Sequence, residues 1–299
     1  MKRLIVGILV AVLVLVLITP AVLAKPDMNK PLPATGIELV KKVTLSGKPV
    51  GGGKPAGGAA TGVLGANSLG VKYAILVGIS DYPGTRNDLQ YCDDDAQDIY
   101  NALTTLYGYN SSNIRLLLNM NASFSAIQGA INDVKSKAVA GDEVVFFFSG
   151  HGANGRADDG DNEKIDEAIV SHDGNLFGSL LYIWDGQLRD WFAGFQTTRI
   201  IFIFDSCLAG GMTDLQGPGR IINMACSESG LSYEDASWQN GQFTYYFIDQ
   251  GMLASKADKY DNIAGVADVT IEEAFDYAKA NCRWQTPTIS DSFSNDLLL

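Results

Sequence analysis

From Lys72 onward the chain alternates short, almost unbroken apolar runs with segments whose apolar positions recur every three or four residues. The runs YAILVGI (73–79), IRLLL (114–118), EVVFFF (143–148), RIIFIF (199–204) and RIINMAC (220–226) predict strands buried on both faces, since a half-exposed strand would alternate polar with apolar. Helical spacing falls between and after them, at 93–107, 123–139, 185–194, 241–254 and 270–280. Strands and helices in alternation predict an α/β fold, a parallel sheet covered on both faces, forming one domain over 72–299. In open sheets of this kind, catalytic groups gather at the carboxyl ends of strands.

The first 71 residues have a different pattern. Lys2 and Arg3 precede an apolar run from Leu4 to Ile18, and small residues follow up to Ala24. Residues 1–24 therefore read as a signal peptide, either cleaved after Ala24 or retained as an N-terminal anchor. The expected location is secreted or extracytoplasmic, with membrane attachment only through an uncleaved 1–24. Residues 25–71 are rich in Gly and Pro and read as a linker or pro-segment, too poor in apolar groups to build a core. The string PLPATG at 31–36 resembles a sortase recognition motif, but its position near the N-terminus argues against that use.

The formal net charge of −12 argues against a nucleic-acid partner, because phosphate binding needs an excess of cations. The four cysteines, Cys92, Cys207, Cys226 and Cys282, form no CxxC pair. Cys92 and Cys226 read as buried packing residues, and a Cys226–Cys282 bridge stays open.

Two strand tips carry the candidate chemistry. VVFFFSGHG ends at His151, flanked by glycines that let the backbone turn sharply and a substrate approach closely. IIFIFDSCLAGG ends at Cys207, just after Asp205 and Ser206. A histidine beside a cysteine activates the thiol by taking its proton, and the Gly152 amide offers a donor to a developing oxyanion. The GxSxG nucleophile elbow is absent. His172, the one other histidine, reads as a structural turn residue.

SGHG (149–152) and DSC (205–207) resemble the catalytic pair of the caspase-like cysteine peptidases, most closely the metacaspases. KYAILVGISDY (72–82), YCDDDAQDI (91–99), DEAIV (166–170), GQFTYYF (241–247) and QTPTIS (285–290) fall in the family's order. The resemblance implies a three-layer α/β/α sandwich around a mostly parallel central sheet. It implies His151 as general base, Cys207 as nucleophile, and the amides of Gly152 and Cys207 as the oxyanion hole. Asp95 and Asp205, with Ser149, would line a pocket for Arg or Lys, although first-turn aspartates are also favoured simply by the helix dipole. Protein or peptide substrates cut after Arg or Lys follow, as does self-processing at Lys30, Lys41, Lys42, Lys48, Lys54, Lys256 or Lys259.

A calcium site is implied at Asp166, Asp185 and Asp214, with Gly186 standing where the family has a second aspartate; the acidic loop RADDGDNEKIDEAIV suits such a cation. No organic cofactor is expected, and the chain is expected to act as a monomer. The rival readings are a non-catalytic caspase-fold binding module and a legumain-like or clostripain-like peptidase.

Overall fold

The computed structural model describes residues 25–45, 58–174, 180–259 and 268–299. The elements run in the order β1 (Ala34–Val40), β2 (Val43–Leu45), β3 (Lys72–Gly78), α1 (Cys92–Thr105), β4 (Ile114–Leu118), α2 (Phe124–Lys137), β5 (Glu143–Ser149) and β6 (Gly152–Ala157). They continue with β7 (Asp166–Gly174), β8 (Leu180–Trp184), α3 (Asp185–Phe192), β9 (Ile200–Asp205), β10 (Arg220–Met224), β11 (Tyr233–Asp235) and β12 (Asn240–Gly241). A short helix α4 (Gln242–Thr244) follows, continued by a π-helical segment over Tyr245–Leu253, then α5 (Ile271–Asn281) and β13 (Thr288–Asp291).

The central sheet has the order β13-β10-β9-β5-β3-β4, parallel throughout except for the antiparallel edge strand β13. Its strands feed two cores because successive side chains point to opposite faces. Ile75, Val77, Phe146, Phe148, Phe202 and Phe204 pack on one face with residues of α2 and α3. Ala74, Leu76, Val145, Phe147, Ile201 and Ile203 pack on the other with α1, α4 and α5. Each fully buried phenylalanine contributes about 1.5–3 kcal/mol of burial, so β5 and β9 are the best-anchored strands of the molecule. Rigid central strands that end in loops are a firm base for a site. The mostly parallel sheet between two helical layers is the expected architecture.

Two small sheets flank the strand tips. One has the order β1-β6-β7-β8 and the other β12-β11-β2. Both contain a strand from the segment read as a linker or pro-segment. That stretch builds no core of its own; β1 and β2 are held by backbone pairing along the edges of β6 and β11. The Gly-rich residues 46–57 lie outside the described residues, as do 1–24. Among the described residues, no helix is long and apolar enough to cross a membrane.

Two local expectations are corrected and one open point is closed. The regular helix expected at 241–254 is α-helical only over Gln242–Thr244 and is wound as a π-helix over Tyr245–Leu253, a distortion common next to functional sites. His172 sits inside β7 rather than in a turn, its amide donating to the Ala122 carbonyl. No Cys226–Cys282 bridge forms: both thiols are free and buried, donating to the carbonyls of Ser206 and Gln242.

Candidate active site

The last rung of the β5–β9 ladder pairs Ser149 with Asp205. His151 and Cys207 each lie two residues past that rung, so parallel register alone brings the two tips together. Gly152 packs against the backbone of Cys207, and a Cβ there would lie 2.0 Å from the Cys207 carbonyl oxygen. Only glycine fits.

The imidazole is held by two contacts, and its backbone by a third. Tyr82 stacks on it at 4.6 Å between ring centroids, and the Tyr82 hydroxyl accepts the His151 amide at 3.0 Å while donating to the Val170 carbonyl. Nε2 donates to the Asn87 carbonyl at 2.7 Å. A carbonyl can only accept, so this bond keeps the proton on Nε2 and leaves Nδ1 as the basic atom. Nδ1 is buried and has no hydrogen-bond partner among the described residues, a state compatible with a general base. Burial pushes the His151 pKa down to about 4, partly offset by the Asn87 bond and reinforced by the Lys41 and Lys42 ammoniums.

Cys207 is 1% exposed. Its thiol donates to the Lys41 carbonyl at 3.3 Å and accepts the Ser232 amide at 3.1 Å. Burial pushes it up to about 11, against the opposing pull of the Ser232 amide and Lys42. Thiol and imidazole are therefore both neutral at rest. Leu208, directly after Cys207, adopts a left-handed φ of 60°, a local strain typical of functional turns.

Asp95, Ser149 and Asp205 meet as the sequence implies, all three fully buried. The structure adds what fills the space between them. The Lys42 ammonium lies 3.0 Å from Asp205 Oδ1, 2.9 Å from Ser149 Oγ and 3.5 Å from Asp95 Oδ2. Asp205 also accepts from Ser232 Oγ at 2.6 Å, Thr244 N at 3.0 Å and Thr244 Oγ1 at 2.7 Å. Asp95 accepts from Ser149 Oγ at 2.6 Å and Gly241 N at 2.8 Å. Burial opposes the Lys42 charge, yet Asp205, with Cys92, Asp95 and Glu234 behind it, holds its pKa well above the ordinary lysine value. Burial and the neighbouring Asp205 charge push Asp95 up to about 8 despite Lys42, so at neutral pH the second carboxyl retains most of a proton.

Sequence reasoning missed Gly241, where a Cβ would lie 2.4 Å from Asp205 Oδ2 and 2.9 Å from Lys42 Nζ. It also missed Ser232, Thr244, Tyr82 and Asn87. Of these, Gly241 and Thr244 fall within GQFTYYF and Tyr82 closes KYAILVGISDY, strings that the sequence singles out, whereas Ser232 and Asn87 fall in none.

A second acidic basin surrounds Asp166, Asp185 and Asp214. Asp159 and Asp161 cluster with Asp166, and Glu163 and Glu167 with Asp185. Arg189 reaches into it, pairing with Asp214 at 2.6 Å and Asp161 at 3.2 Å. Burial, with added repulsion from neighbouring carboxylates, pushes Asp159 up to about 6, Glu167 to about 8 and Asp185 to about 10. A Cβ at Gly186 would lie 2.7 Å from the Asp159 carboxylate, so the room left by this glycine is taken by a carboxylate from the preceding loop. Asp159 Oδ1 and Glu167 Oε2 are buried without partners. Hard oxygen donors that lack hydrogen-bond partners fit a cation such as calcium. The basin touches the loop that follows Cys207, since Glu167 Oε2 would lie 2.2 Å from a Cβ at Gly211.

A family model described as the caspase domain matches residues 71–297. Metacaspase-4 of Arabidopsis thaliana is 34% identical over 151 residues, covering 48% of this chain and 34% of that protein. Metacaspase-1 of Saccharomyces cerevisiae (strain YJM789) is 30% identical over 155 residues, covering 49% and 35% respectively. The chain thus spans about a third of the length of these curated relatives. The crystal structure of protein GSU0716 from Geobacter sulfurreducens superposes with a TM-score of 0.52 at 16% identity, over 74% of this chain and 93% of that one, a likeness of fold.

Proposed function

The chain belongs to the caspase-domain family, and from that premise we propose that it is a cysteine endopeptidase that cleaves protein or peptide chains after Arg or Lys. The observation that carries the specificity is Lys42: a basic side chain already sits between Asp205, Ser149 and Asp95, one strand tip away from the thiol. An aspartate side chain there would meet like charge.

In the proposed reaction, Nδ1 of His151 takes the Cys207 thiol proton and the thiolate adds to the scissile carbonyl carbon. The amides of Gly152 and Cys207 receive the oxyanion. The leaving amine takes the proton from His151 as the C–N bond breaks, leaving a thioester. Water, deprotonated by the same nitrogen, then releases the acid and restores the thiol. The Asn87 carbonyl fixes the tautomer needed for each transfer.

Calcium belongs to the same proposal. Asp159, Asp166, Asp185 and Glu167 would hold it, with Asp214 available once Arg189 withdraws. When bound, the ion would neutralise the carboxylates beneath the loop that carries Cys207. Export through residues 1–24 and self-processing at exposed basic residues are further parts of this reading. Among the described side chains, Lys30, Lys41 and Lys256 are exposed, whereas Lys42 is buried.

The test is hydrolysis of matched peptides with Arg, Lys or Asp before the scissile bond, with calcium, with chelator, and with Cys207→Ala. Cleavage after Arg and Lys that vanishes in Cys207→Ala is the expected result. Cleavage after Asp would overturn the pocket assignment, and turnover by Cys207→Ala would overturn the nucleophile.

A further inference from the structure

The residues around Lys42 do more than illustrate the pocket. Leu39 and Val40 pair with Ala153 and Gly152, directly after the catalytic histidine. Val43, Thr44 and Leu45 pair in parallel with Tyr233, Glu234 and Asp235, and the Val43 amide donates to the Ser232 carbonyl at 2.9 Å. Thr44 Oγ1 adds a 2.8 Å bond to Glu234. Only Lys41 and Lys42 span the gap between these anchored strands, and they cross directly over Cys207. His151 is 0% exposed and Cys207 1%, with this crossing as part of their cover.

The register of the crossing is informative. A peptidase that cuts after the residue in its primary pocket must bring that residue's own carbonyl to the nucleophile. Here the side chain in the pocket belongs to Lys42, but the carbonyl on the thiol belongs to Lys41. The contact is also to the oxygen, which accepts the thiol proton, rather than to the carbon. Sliding the strand by a residue would not repair this, because whichever side chain then filled the pocket, the carbonyl before it would meet the thiol. The offset follows from chain direction.

We propose that Ala34–Leu45 is a built-in inhibitor: Lys42 fills the pocket for basic residues while its strand crosses the nucleophile in a direction that cannot be cut. This rests on the peptidase reading above. Held on the same chain, the strap competes with substrate at a high effective concentration. It must be displaced, or severed elsewhere, before the site works. Lys42–Val43 is accordingly not a cis self-processing bond, despite the lysine in the pocket.

The test measures access to Cys207 in the 299-residue protein, as wild type, Lys42→Ala and Val43→Pro. The second variant removes the amide that bonds Ser232 and leaves the pocket residues untouched, so it carries the test should Lys42→Ala fail to fold. Each is treated with iodoacetamide and, separately, with an Arg-directed acyloxymethyl ketone, Cys207→Ala serving as the site control. The expected result is labelling of Cys207 by both reagents, faster in the variants by about 10²-fold, with an intact Lys42–Val43 bond in wild type by mass spectrometry. Folded variants alkylated by iodoacetamide at the wild-type rate would overturn the strap. Faster alkylation without ketone labelling would support the strap and overturn the basic-residue pocket beneath it. A wild-type fragment beginning at Val43, absent from Cys207→Ala, would overturn the non-productive direction.

Discussion

Two of the buried carboxylate clusters among the described residues differ in how their oxygens are satisfied, and their contrast separates a finished ion pair from an unfinished one. In the pocket, every oxygen of Asp95 and Asp205 has a donor, from Gly241, Ser149, Ser232, Thr244 or Lys42. In the basin around Asp185, Asp159 Oδ1 and Glu167 Oε2 have none among the described residues, and the Arg189 guanidinium is directed at Asp161, Asp214, Asp190 and the Asp159 carbonyl instead. A buried carboxylate without partners is costly. The pocket meets that cost with a cation from its own chain, whereas the basin has the chemistry of a site that takes its cation from solution. On the proposed function, one cluster would exchange one ammonium or guanidinium for another, and the other would bind a metal.

The largest effect that could break this comparison is expected from Asp205→Ala. It removes the partner of a fully buried ammonium and strands Ser232 Oγ and Thr244 N. Losing one member of such a pair costs about 3–5 kcal/mol, so urea unfolding should show a loss of that size, and hydrolysis after Arg should disappear with it. A variant as stable as wild type would mean that the Lys42 ammonium is not truly enclosed.

Gly241→Ala comes next. The added methyl would lie 2.4 Å from Asp205 Oδ2, and overpacking of this kind costs about 1–3 kcal/mol. Cleavage after Arg should fall more than cleavage after Lys, since the guanidinium is the bulkier group. Equal losses for the two would place Gly241 outside the pocket floor.

The basin should show itself through pH. Asp159, Glu167 and Asp185, pushed up to about 6, 8 and 10 from ordinary values of 3.8 and 4.5, bind protons more tightly when folded. Their contribution is therefore greatest below about pH 4 and is lost as pH rises toward those folded values. Chelated protein should lose stability between about pH 5 and 8. Calcium should restore it, by about 2.7 kcal/mol at a hundredfold excess over Kd. Asp185→Asn should flatten the pH slope and weaken the calcium response. Thermal melts in chelator and in calcium at each pH measure both, and indifference to calcium would remove the metal from the proposal.

Much of the scaffold was legible because burial on both faces leaves a plain mark. VVFFF and IIFIF read as buried strands, and the observed β5–β9 ladder is what sets the tips SGHG and DSC side by side. The parts that stayed hidden depend on contacts without local pattern. Lys42 meets Asp95 across 53 residues and Cys207 meets Lys41 across 166, so a lysine in a Gly/Pro-rich stretch gave no sign that it would be the most deeply buried cation of the site. The tautomer of His151 is set by a backbone carbonyl, which any residue at position 87 would supply. Asp159 was visible only as one acid among several in a loop, and its role depends on the space that Gly186 leaves.

The smallest effect is the sharpest probe of the unfinished pair. Arg189 is partly exposed, with 28% of its side chain accessible, so its bonds to Asp161 and Asp214 are screened and together contribute no more than about 1 kcal/mol. Arg189→Gln should lower the melting temperature of chelated protein only slightly, while leaving Asp214 free for a metal. Calcium titrated calorimetrically should bind the variant several-fold more tightly than wild type, by about the same 1 kcal/mol that the ion must spend in displacing the guanidinium. Weaker binding in the variant would mean that Arg189 organises the ligands rather than competing for them. The basin would then resemble the pocket after all, a cluster whose resident cation is part of its architecture.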